Sequence, residues 1–367
     1  MKRKELVEIA IGLCNKVLLK REQPELPELS AKDWARMLTL ASMHGVLPVI
    51  TPLFADYEAE DERLRGVLLE WYVTSLQNHQ RYQLRVCNMR EMAKLFEEEG
   101  LDVMFMKGAA LAQLYPKPEW RVFSDIDYYL YGKSEQGIEV MARNGIKNSA
   151  YYHHHTQASL NNVLLENHYD FVERVNHKCD VMLDDALKAL AEKEGHTMKA
   201  DFLGKDVNNA YLMTPTMNAI FLMRHMSAHF VSESIPLRML YDWALFLNKY
   251  AGEVDWDYAV PLYERSGMTR FARIIMMILK DRLEFECKDC PLELGEQADA
   301  ERVWESIIYP PGRDPYKGGT FRYYLFETRT FLQNKWKHEI VYPGESFVGL
   351  FFKYAWLGMK RMTGMLK

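Results

Sequence analysis

The feature that most constrains the fold is a change in hydrophobic periodicity at about residue 101. Before it, apolar side chains recur at helical spacing, and the same spacing returns after about residue 213. Between these points, short apolar runs alternate with short helical patterns, which is typical of an α/β unit. We therefore predict an N-terminal helical region at 1–100, an α/β core at 101–212 and a C-terminal, mainly helical domain at 213–367.

The predicted core opens with a buried strand. Residues 101–106 (LDVMFM) form an apolar run that is long enough for a strand and too short for a helix. The other predicted elements are a short helix at 108–115, a strand at 122–132, a helix at 134–144 and two strands at 163–175 and 177–184, joined by a turn around Asn176. A sheet is therefore expected in this segment, with helices on either side of it in the chain.

The second predicted strand carries two carboxylates. Asp125 and Asp127 flank Ile126, and side chains two apart in a strand point to the same face. Two adjacent carboxylates repel each other, which is costly unless a cation lies between them. Mg²⁺ takes one or two carboxylates and completes its shell with phosphate oxygens and water. The pair therefore predicts a metal site for phosphoryl or nucleotidyl transfer, and the alternative is two exposed acids at a strand end.

The turn before these acids has the composition of a phosphate-binding turn. Gly108 follows a predicted strand and opens a predicted helix, where the backbone can approach an anion closely. Lys107, Arg121 and Ser124 could add charge or hydroxyl contacts to phosphate. Lys107 and Arg121 could equally be structural ion-pair partners of the acids, and the sequence leaves both interpretations open.

A two-metal transferase is expected to have a third carboxylate on a neighbouring strand. Asp180 meets this expectation because it lies in the apolar run that is predicted as the strand at 177–184. Asp184 and Asp185 are expected in the turn that follows this strand. The three predicted metal ligands are therefore the two acids of the second strand and Asp180.

This order of residues resembles the polymerase-beta-like nucleotidyltransferase superfamily, whose signature is a glycine-led turn, an acid-apolar-acid strand and a third acid on a later strand. The closer resemblance is to an uncharacterised bacterial nucleotidyltransferase family. Its hallmark residues correspond here to residues 107–112, 114–116, Arg121 and 125–127. The likeness extends to Trp34, Ala41, His44 and Gly45 upstream, and to His225, His229 and residues 237–247 downstream.

The resemblance implies an α+β fold, in which a polymerase-beta-like core of one small mixed sheet and flanking helices lies between N- and C-terminal helical regions. It implies transfer of a nucleoside monophosphate from an NTP, such as ATP, to an acceptor hydroxyl or phosphate, dependent on Mg²⁺ or Mn²⁺. In that interpretation the catalytic metal ligands are Asp125, Asp127 and Asp180. The nucleotide-binding residues are Lys107, Gly108, Ala109, Arg121 and Ser124.

Two positions depart from the family pattern. Ala109 stands where the superfamily usually has serine or glycine, so one hydroxyl contact to phosphate is missing. Met182 stands two residues after Asp180, where the family often has a histidine. These departures keep open a second hypothesis, a non-catalytic nucleotide-binding or protein-interaction module with the same fold. Hydrolysis of an NTP by the same acids is a third.

Charge and cysteine content bear on partners and compartment. The formal net charge of −5 argues against a long nucleic acid as the acceptor and favours a small molecule or a protein. No window is apolar enough for a stable membrane span. Five scattered cysteines indicate reduced thiols and a cytoplasmic setting. The Cys287–Cys290 pair has no second pair of ligands nearby, so we predict a surface turn rather than a zinc site.

The histidines indicate a metal or substrate site less strongly than the acids do. His225 and His229 are spaced i, i+4 on one predicted helix face, and we expect them to line the cleft between domains rather than to bind metal. Arg238 could reach a triphosphate or cap the same interface. Three consecutive histidines at 153–155 would not share one face of a strand, which predicts a poor metal site.

Overall fold

A six-stranded mixed sheet lies at the centre of the fold. The computed structural model describes the whole chain except residues 56, 58, 60, 176, 311–320 and 363–367. The strands are β1 Val103–Met106, β2 Asp125–Tyr129, β3 Ala150–Tyr151, β4 His155–Leu160, β5 Val163–His168 and β6 Ala210–Leu212. Their order across the sheet is β3-β4-β5-β2-β1-β6, with β2 parallel to β5, β1 parallel to β6 and the other neighbours antiparallel. The predicted α+β class with a small mixed sheet is confirmed.

Helices precede, interrupt and follow these strands. They are α1 Arg3–Cys14, α2 Ala31–Met43, α3 Leu47–Ile50, α4 Glu62–Glu97, α5 Gly108–Ala112, α6 Ser134–Arg143, α7 Lys178–Glu194, α8 Pro215–Ser232, α9 Leu237–Tyr250, α10 Trp256–Ser266, α11 Thr269–Leu283, α12 Gln297–Ile308, α13 Phe321–Gln333, α14 Lys335–Val341 and α15 Phe347–Met362. Ser30 caps α2 and Thr214 caps α8, since their hydroxyl oxygens accept hydrogen bonds from the N–H groups of Asp33 and Met217. No helix in the described part of the chain could span a membrane.

The two faces of the sheet belong to different hydrophobic clusters. The cluster on the α4 side combines Met89, Met92 and Phe96 of α4 with Val103, Phe105, Ile126, Tyr128 and Leu165 of the strands. Because side chains alternate along a strand, the neighbouring residues point the other way. Met104, Met106 and Tyr129 accordingly belong to the larger cluster, which includes α7, α8 and helices from both ends of the chain. Asp125 and Asp127 therefore project toward this second face.

The prediction of a strand at 177–184 is wrong, because this segment is the beginning of α7. Leu183, Leu187 and Leu190 are buried at helical spacing. The apolar run that suggests a strand is the first part of that helical face. The turn predicted around Asn176 lies outside the described residues.

The antiparallel neighbour of β5 is β4, which the sequence analysis does not predict. The two strands form a hairpin whose turn residues, Asn161 and Asn162, have φ values of 51° and 62°. Asparagine tolerates this left-handed conformation, and two such residues suit the tight turns of hairpins. The hairpin carries β5 back alongside β2, with Glu166 opposite Asp127.

Candidate active site

Three carboxylates meet on the second face of the sheet. Asp125 and Asp127 project from β2, as predicted, and Glu166 lies opposite Asp127 on the parallel neighbour β5. The potential ligand atoms of Asp127, Glu166 and His168 all lie within 4.8 Å of one another. The structure therefore brings together two predicted acids and one, Glu166, that the sequence analysis does not single out.

These carboxylates do not ionise equally. Burial opposes ionisation of Asp127, but the charge of Lys107 and the hydrogen bond to His168 hold its pKa far below the usual range. Burial raises the pKa of Asp125, and the neighbouring Asp127 raises it further. Burial and the two aspartates likewise raise the pKa of Glu166. The group holds more negative charge than Lys107 neutralises, and a divalent cation would remove the excess.

Lys107 reaches Asp127 from a strained turn between β1 and α5. Its backbone has φ 46° and ψ −124°, a conformation that side-chain-bearing residues rarely adopt. The Nζ atom lies 2.8 Å from Asp127 Oδ1. Burial alone would lower the pKa of Lys107, yet Asp127 and Asp125 raise it above its usual value. Lys107 is thus a charged partner of the acids, one of the two interpretations that the sequence leaves open.

Gly108 is required by the geometry of the same turn. Its φ is +22°, and a Cβ atom at this position would lie 3.1 Å from the Phe123 ring. Ala109, the next residue, is buried and belongs to the cluster on the α4 side of the sheet. Its methyl group therefore fills core space on the side away from the three acids.

Arg121 is held by a partner on α9. Its Nε and Nη2 atoms donate hydrogen bonds to the two carboxylate oxygens of Asp242 on α9, each at 2.8 Å. Its Nη1 atom donates to the Gly108 carbonyl oxygen at 2.9 Å, and Tyr115 donates to Asp242. Arg121 is 4 % exposed and Asp242 is 5 % exposed. We therefore interpret Arg121 as the residue that fixes the turn, rather than as a direct phosphate ligand.

Ser124 lies at the entrance to β2. Its carbonyl oxygen accepts hydrogen bonds from Arg85 Nε and Nη2 of α4, at 3.2 and 3.1 Å. The residue itself is exposed. Arg85 thus anchors the backbone immediately before the acid pair, and Ser124 itself remains exposed.

Asp180 is the predicted site residue that the structure places elsewhere. It lies in the first turn of α7 rather than on a strand, and it is 1 % exposed. Its two carboxylate oxygens accept hydrogen bonds from Nε and Nη2 of Arg224 on α8, at 2.7 Å each. Asp180 is therefore a structural ion-pair partner. The third acid beside Asp125 and Asp127 is Glu166.

A pattern in the sequence would have identified Glu166. The family often has a histidine two residues after the third acid, and Glu166 is followed by Asn167 and His168. The equivalent position after Asp180 is Met182. The departure at Met182 therefore disappears once the third acid is assigned to Glu166.

His168 is buried between these acids and a backbone carbonyl. Its Nε2 atom lies 3.0 Å from Asp127 Oδ1 and 3.8 Å from Glu166 Oε2. Its Nδ1 atom lies 3.2 Å from the Asp170 carbonyl oxygen. A carbonyl oxygen only accepts hydrogen bonds, so Nδ1 carries a hydrogen and Nε2 faces the carboxylates.

Two of the three consecutive histidines join this region, contrary to the sequence prediction. His154 lies in a bend before β4, and His155 is the first residue of that strand. The alternation of a strand therefore does not separate them. Potential ligand atoms of His154, His155 and His168 all lie within 4.8 Å of one another. Burial lowers the pKa of His154 to about 2 and that of His155 to about 4, and the charge of His168 adds to both effects.

Helices α8 and α9 contribute residues beside Lys107. The Nζ atom of Lys107 lies 5.6 Å from the centre of the Phe221 ring, and burial together with the charge of Lys107 lowers the pKa of His225. Arg238 lies 3.6 Å from Asp242, and Gly45 leaves room for its side chain, since a Cβ there would lie 3.2 Å from Arg238 Cδ. The Arg238 guanidinium is therefore a second positively charged group near the Lys107 turn.

One comparison with known proteins finds a relationship. A family model described as an uncharacterised nucleotidyltransferase matches residues 30–284, more than half of the chain. No curated protein and no solved structure matches the chain. The matched range includes the acids, the Lys107 turn, Arg121 and its partner Asp242.

Proposed function

The chain belongs to the uncharacterised nucleotidyltransferase family, and on this premise we propose that it transfers a nucleoside monophosphate from an NTP to an acceptor. An oxygen of the acceptor, a hydroxyl or phosphate group, forms a bond to the α-phosphorus of the NTP. The bond between that phosphorus and the β,γ-pyrophosphate breaks, and a hydroxyl acceptor also loses its proton. The net charge of −5 favours a small molecule or a protein as the acceptor.

The observation that carries this proposal is the convergence of Asp125, Asp127 and Glu166 on one face of the sheet. Their chemistry fits a hard divalent cation, because carboxylate oxygens are the protein ligands that such ions prefer. We propose that they hold Mg²⁺ or Mn²⁺, which would neutralise phosphate charge and lower the pKa of the acceptor hydroxyl. The raised pKa values of Asp125 and Glu166 are those of carboxylates that lack a sufficient counter-ion.

The positions of the neighbouring groups suggest which side of the site each substrate occupies. In the strand order β5-β2-β1, Glu166 lies on one side of the aspartates and Lys107 lies on the other. We propose that Lys107, Gly108 and Arg238 face the triphosphate, with Ser124 as a hydroxyl contact. Glu166 lies on the β5 side, where it accepts the proton of a hydroxyl acceptor.

The test combines nucleotide binding with transfer. We expect Asp125→Asn with Asp127→Asn, and separately Glu166→Gln, to abolish or greatly weaken binding of NTP with Mg²⁺ in calorimetry. Glu139→Gln, an exposed acid on α6, serves as the matched control. Labelled NTPs incubated with a cell extract then reveal the acceptor, and label transfer should require Glu166.

The outcomes separate the three hypotheses. Unchanged NTP binding in the aspartate double variant would refute the site. Binding without label transfer would indicate a non-catalytic nucleotide-binding module with the same fold. Loss of NTP without a labelled acceptor would indicate hydrolysis.

We also infer a reducing, cytoplasmic compartment for this activity. All five cysteines are free thiols, including Cys287 and Cys290. Free thiols persist where glutathione and thioredoxin keep them reduced. Labelling of intact and fractionated cells with a thiol reagent would test this inference.

A further inference from the structure

The histidines beside the acids form a second set of potential metal ligands. His168 belongs both to the group with Asp127 and Glu166 and to the group with His154 and His155. In each group the potential ligand atoms lie within 4.8 Å of one another. His168 therefore connects an oxygen-rich half of the site with an imidazole-rich half.

The orientation of His168 is that of a metal ligand. Its Nδ1–H faces the Asp170 carbonyl oxygen at 3.2 Å, and this contact directs Nε2 toward Asp127 and Glu166. Metal-bound histidines commonly donate their other ring N–H to a carbonyl or carboxylate, which fixes the ring and its tautomer. Where a proton on Nε2 now bridges His168 to Asp127, a metal ion bound to Nε2 would take the place of that proton.

The other two imidazoles have buried nitrogen atoms without hydrogen-bond partners. The Nδ1 atoms of His154 and His155 are inaccessible and make no hydrogen bond. The His155 residue is 7 % exposed. Buried polar atoms are nearly always paired, so unpaired nitrogens next to a third imidazole point to a partner that is not part of the chain. The other ring nitrogen of His155, Nε2, lies 3.5 Å from Glu166 Oε1, so the imidazoles adjoin the carboxylates.

We propose that His154, His155 and His168 bind a first-row transition-metal ion of the Zn²⁺ class, next to the carboxylates that take Mg²⁺ or Mn²⁺. Imidazole nitrogen suits Zn²⁺, Co²⁺ and related ions, whereas Mg²⁺ demands an octahedral shell of oxygen ligands. Three imidazoles leave at least one open position on such an ion. Binding of this metal ion does not depend on the proposed function. A catalytic role of the ion would rest on the proposed function, because Asp127 and Glu166 adjoin His168.

The test is a titration of the metal-free, full-length protein with Co²⁺ alone, followed by visible absorption. Co²⁺ with a total of four or five ligands, including imidazole nitrogens, has visible absorption bands much stronger than those of the hexaaqua ion. We expect stoichiometric binding with strong bands, displacement by Zn²⁺, and no displacement by a large excess of Mg²⁺. His168→Gln should weaken Co²⁺ binding by more than about 100-fold, since changes to groups that merely orient a ligand already cost about 10–100-fold.

Two further variants keep the test decisive if His168→Gln fails to fold. His154→Gln alters a residue in a bend outside the strand ladder and should also weaken Co²⁺ binding. His79→Gln, on α4 and paired with Glu119, should leave it unchanged. Weak bands of the aqueous type, or equal affinity in wild type and His154→Gln, would overturn the inference.

The metal inference and the proposed function fail in different experiments. Strong Co²⁺ bands in a protein that binds no NTP would leave the metal site standing and refute nucleotide transfer. NTP binding with Mg²⁺ in a protein whose Co²⁺ spectrum shows no nitrogen ligation would refute the histidine metal site and leave the proposed function standing.

Discussion

Replacing Asp242 by asparagine is expected to lower the free energy of unfolding by about 3–5 kcal/mol. The substitution removes the negative partner of Arg121 and leaves a buried guanidinium without a counter-charge. Arg121 is 4 % exposed, so water cannot take over the role of the carboxylate. The same change weakens the acceptor of the Tyr115 hydrogen bond.

The melting temperature follows from this free energy. An unfolding entropy of about 2 cal/mol/K per residue over the chain gives about 0.8 kcal/mol/K, so 3–5 kcal/mol corresponds to a fall of about 4–6 °C. Arg121→Met combined with Asp242→Leu should recover much of this loss, because buried ion pairs are often replaceable by well-packed apolar residues. As a control, Arg143→Gln breaks an ion pair whose side chains are 60 % and 40 % exposed. It should cost less than about 1 kcal/mol.

The measurement is thermal unfolding followed by calorimetric titration with an NTP. If Arg121 positions the turn, Arg121→Gln lowers the melting temperature by several degrees, as Asp242→Asn does. If Arg121→Gln instead leaves the melting temperature within about 1 °C of wild type and weakens NTP binding more than tenfold, Arg121 is a phosphate ligand. That result would refute its assignment as a positioning residue.

Three further predictions concern the turn and His44, whose carbonyl oxygen accepts a hydrogen bond from the backbone N–H of Arg238. Gly108→Ala should destabilise the fold by about 1–3 kcal/mol, measured by denaturant unfolding, because φ is +22° and a Cβ would lie 3.1 Å from Phe123. Lys107→Met should lower the melting temperature without metal, and Mn²⁺ should raise it more than in wild type, because Asp127 loses its ammonium partner. An equal Mn²⁺ shift in both proteins would argue against this competition. Burial lowers the pKa of His44 to about 4, so its contribution to stability is lost as pH falls from about 6.5 to 4, by about 3 kcal/mol. His44→Asn should remove that part of the pH dependence of unfolding; an unchanged pH profile would contradict it.

The acid pair was predictable because its signals are local. Asp125 and Asp127 alternate within an apolar strand, and the turn at Gly108 follows another apolar run. Period-two alternation is enough to place both carboxylates on one face. Strand β1 begins two residues later than predicted, and β2 begins three residues later and ends three residues earlier than predicted.

The third acid depends on which segments pair, and that is not a local property. Glu166 lies within a predicted strand, but only the pairing of β5 with β2 places it opposite Asp127. Asp180 is predicted as the third acid because residues 177–184 combine acids with apolar residues over a length that suits a strand. Burial of Leu183 and Leu187 against α8 and its neighbours stabilises this segment as a helix rather than a strand.

The ion-pair partner of Arg121 was even harder to predict from local sequence patterns. Asp242 is 121 residues away in the sequence, on a helix that is predicted for its apolar periodicity alone. Nothing in that periodicity indicates that its one acid faces the turn at Gly108. The resemblance did include residues 237–247, and the ion pair supplies a physical reason for that part of the likeness.

The distance in sequence between Arg121 and Asp242 also has a consequence for synthesis of the chain. Domains fold as they emerge from a ribosome that adds about 5–20 residues per second, so Asp242 follows Arg121 by roughly 6–24 s. By the end of that interval the strands that carry the acids have been synthesised, while the arginine that fixes their neighbouring turn still has no counter-charge. A nascent chain halted before α9 should therefore hold the sheet with an unlocked Lys107 turn, and nucleotide binding should begin only when α9 has left the ribosome.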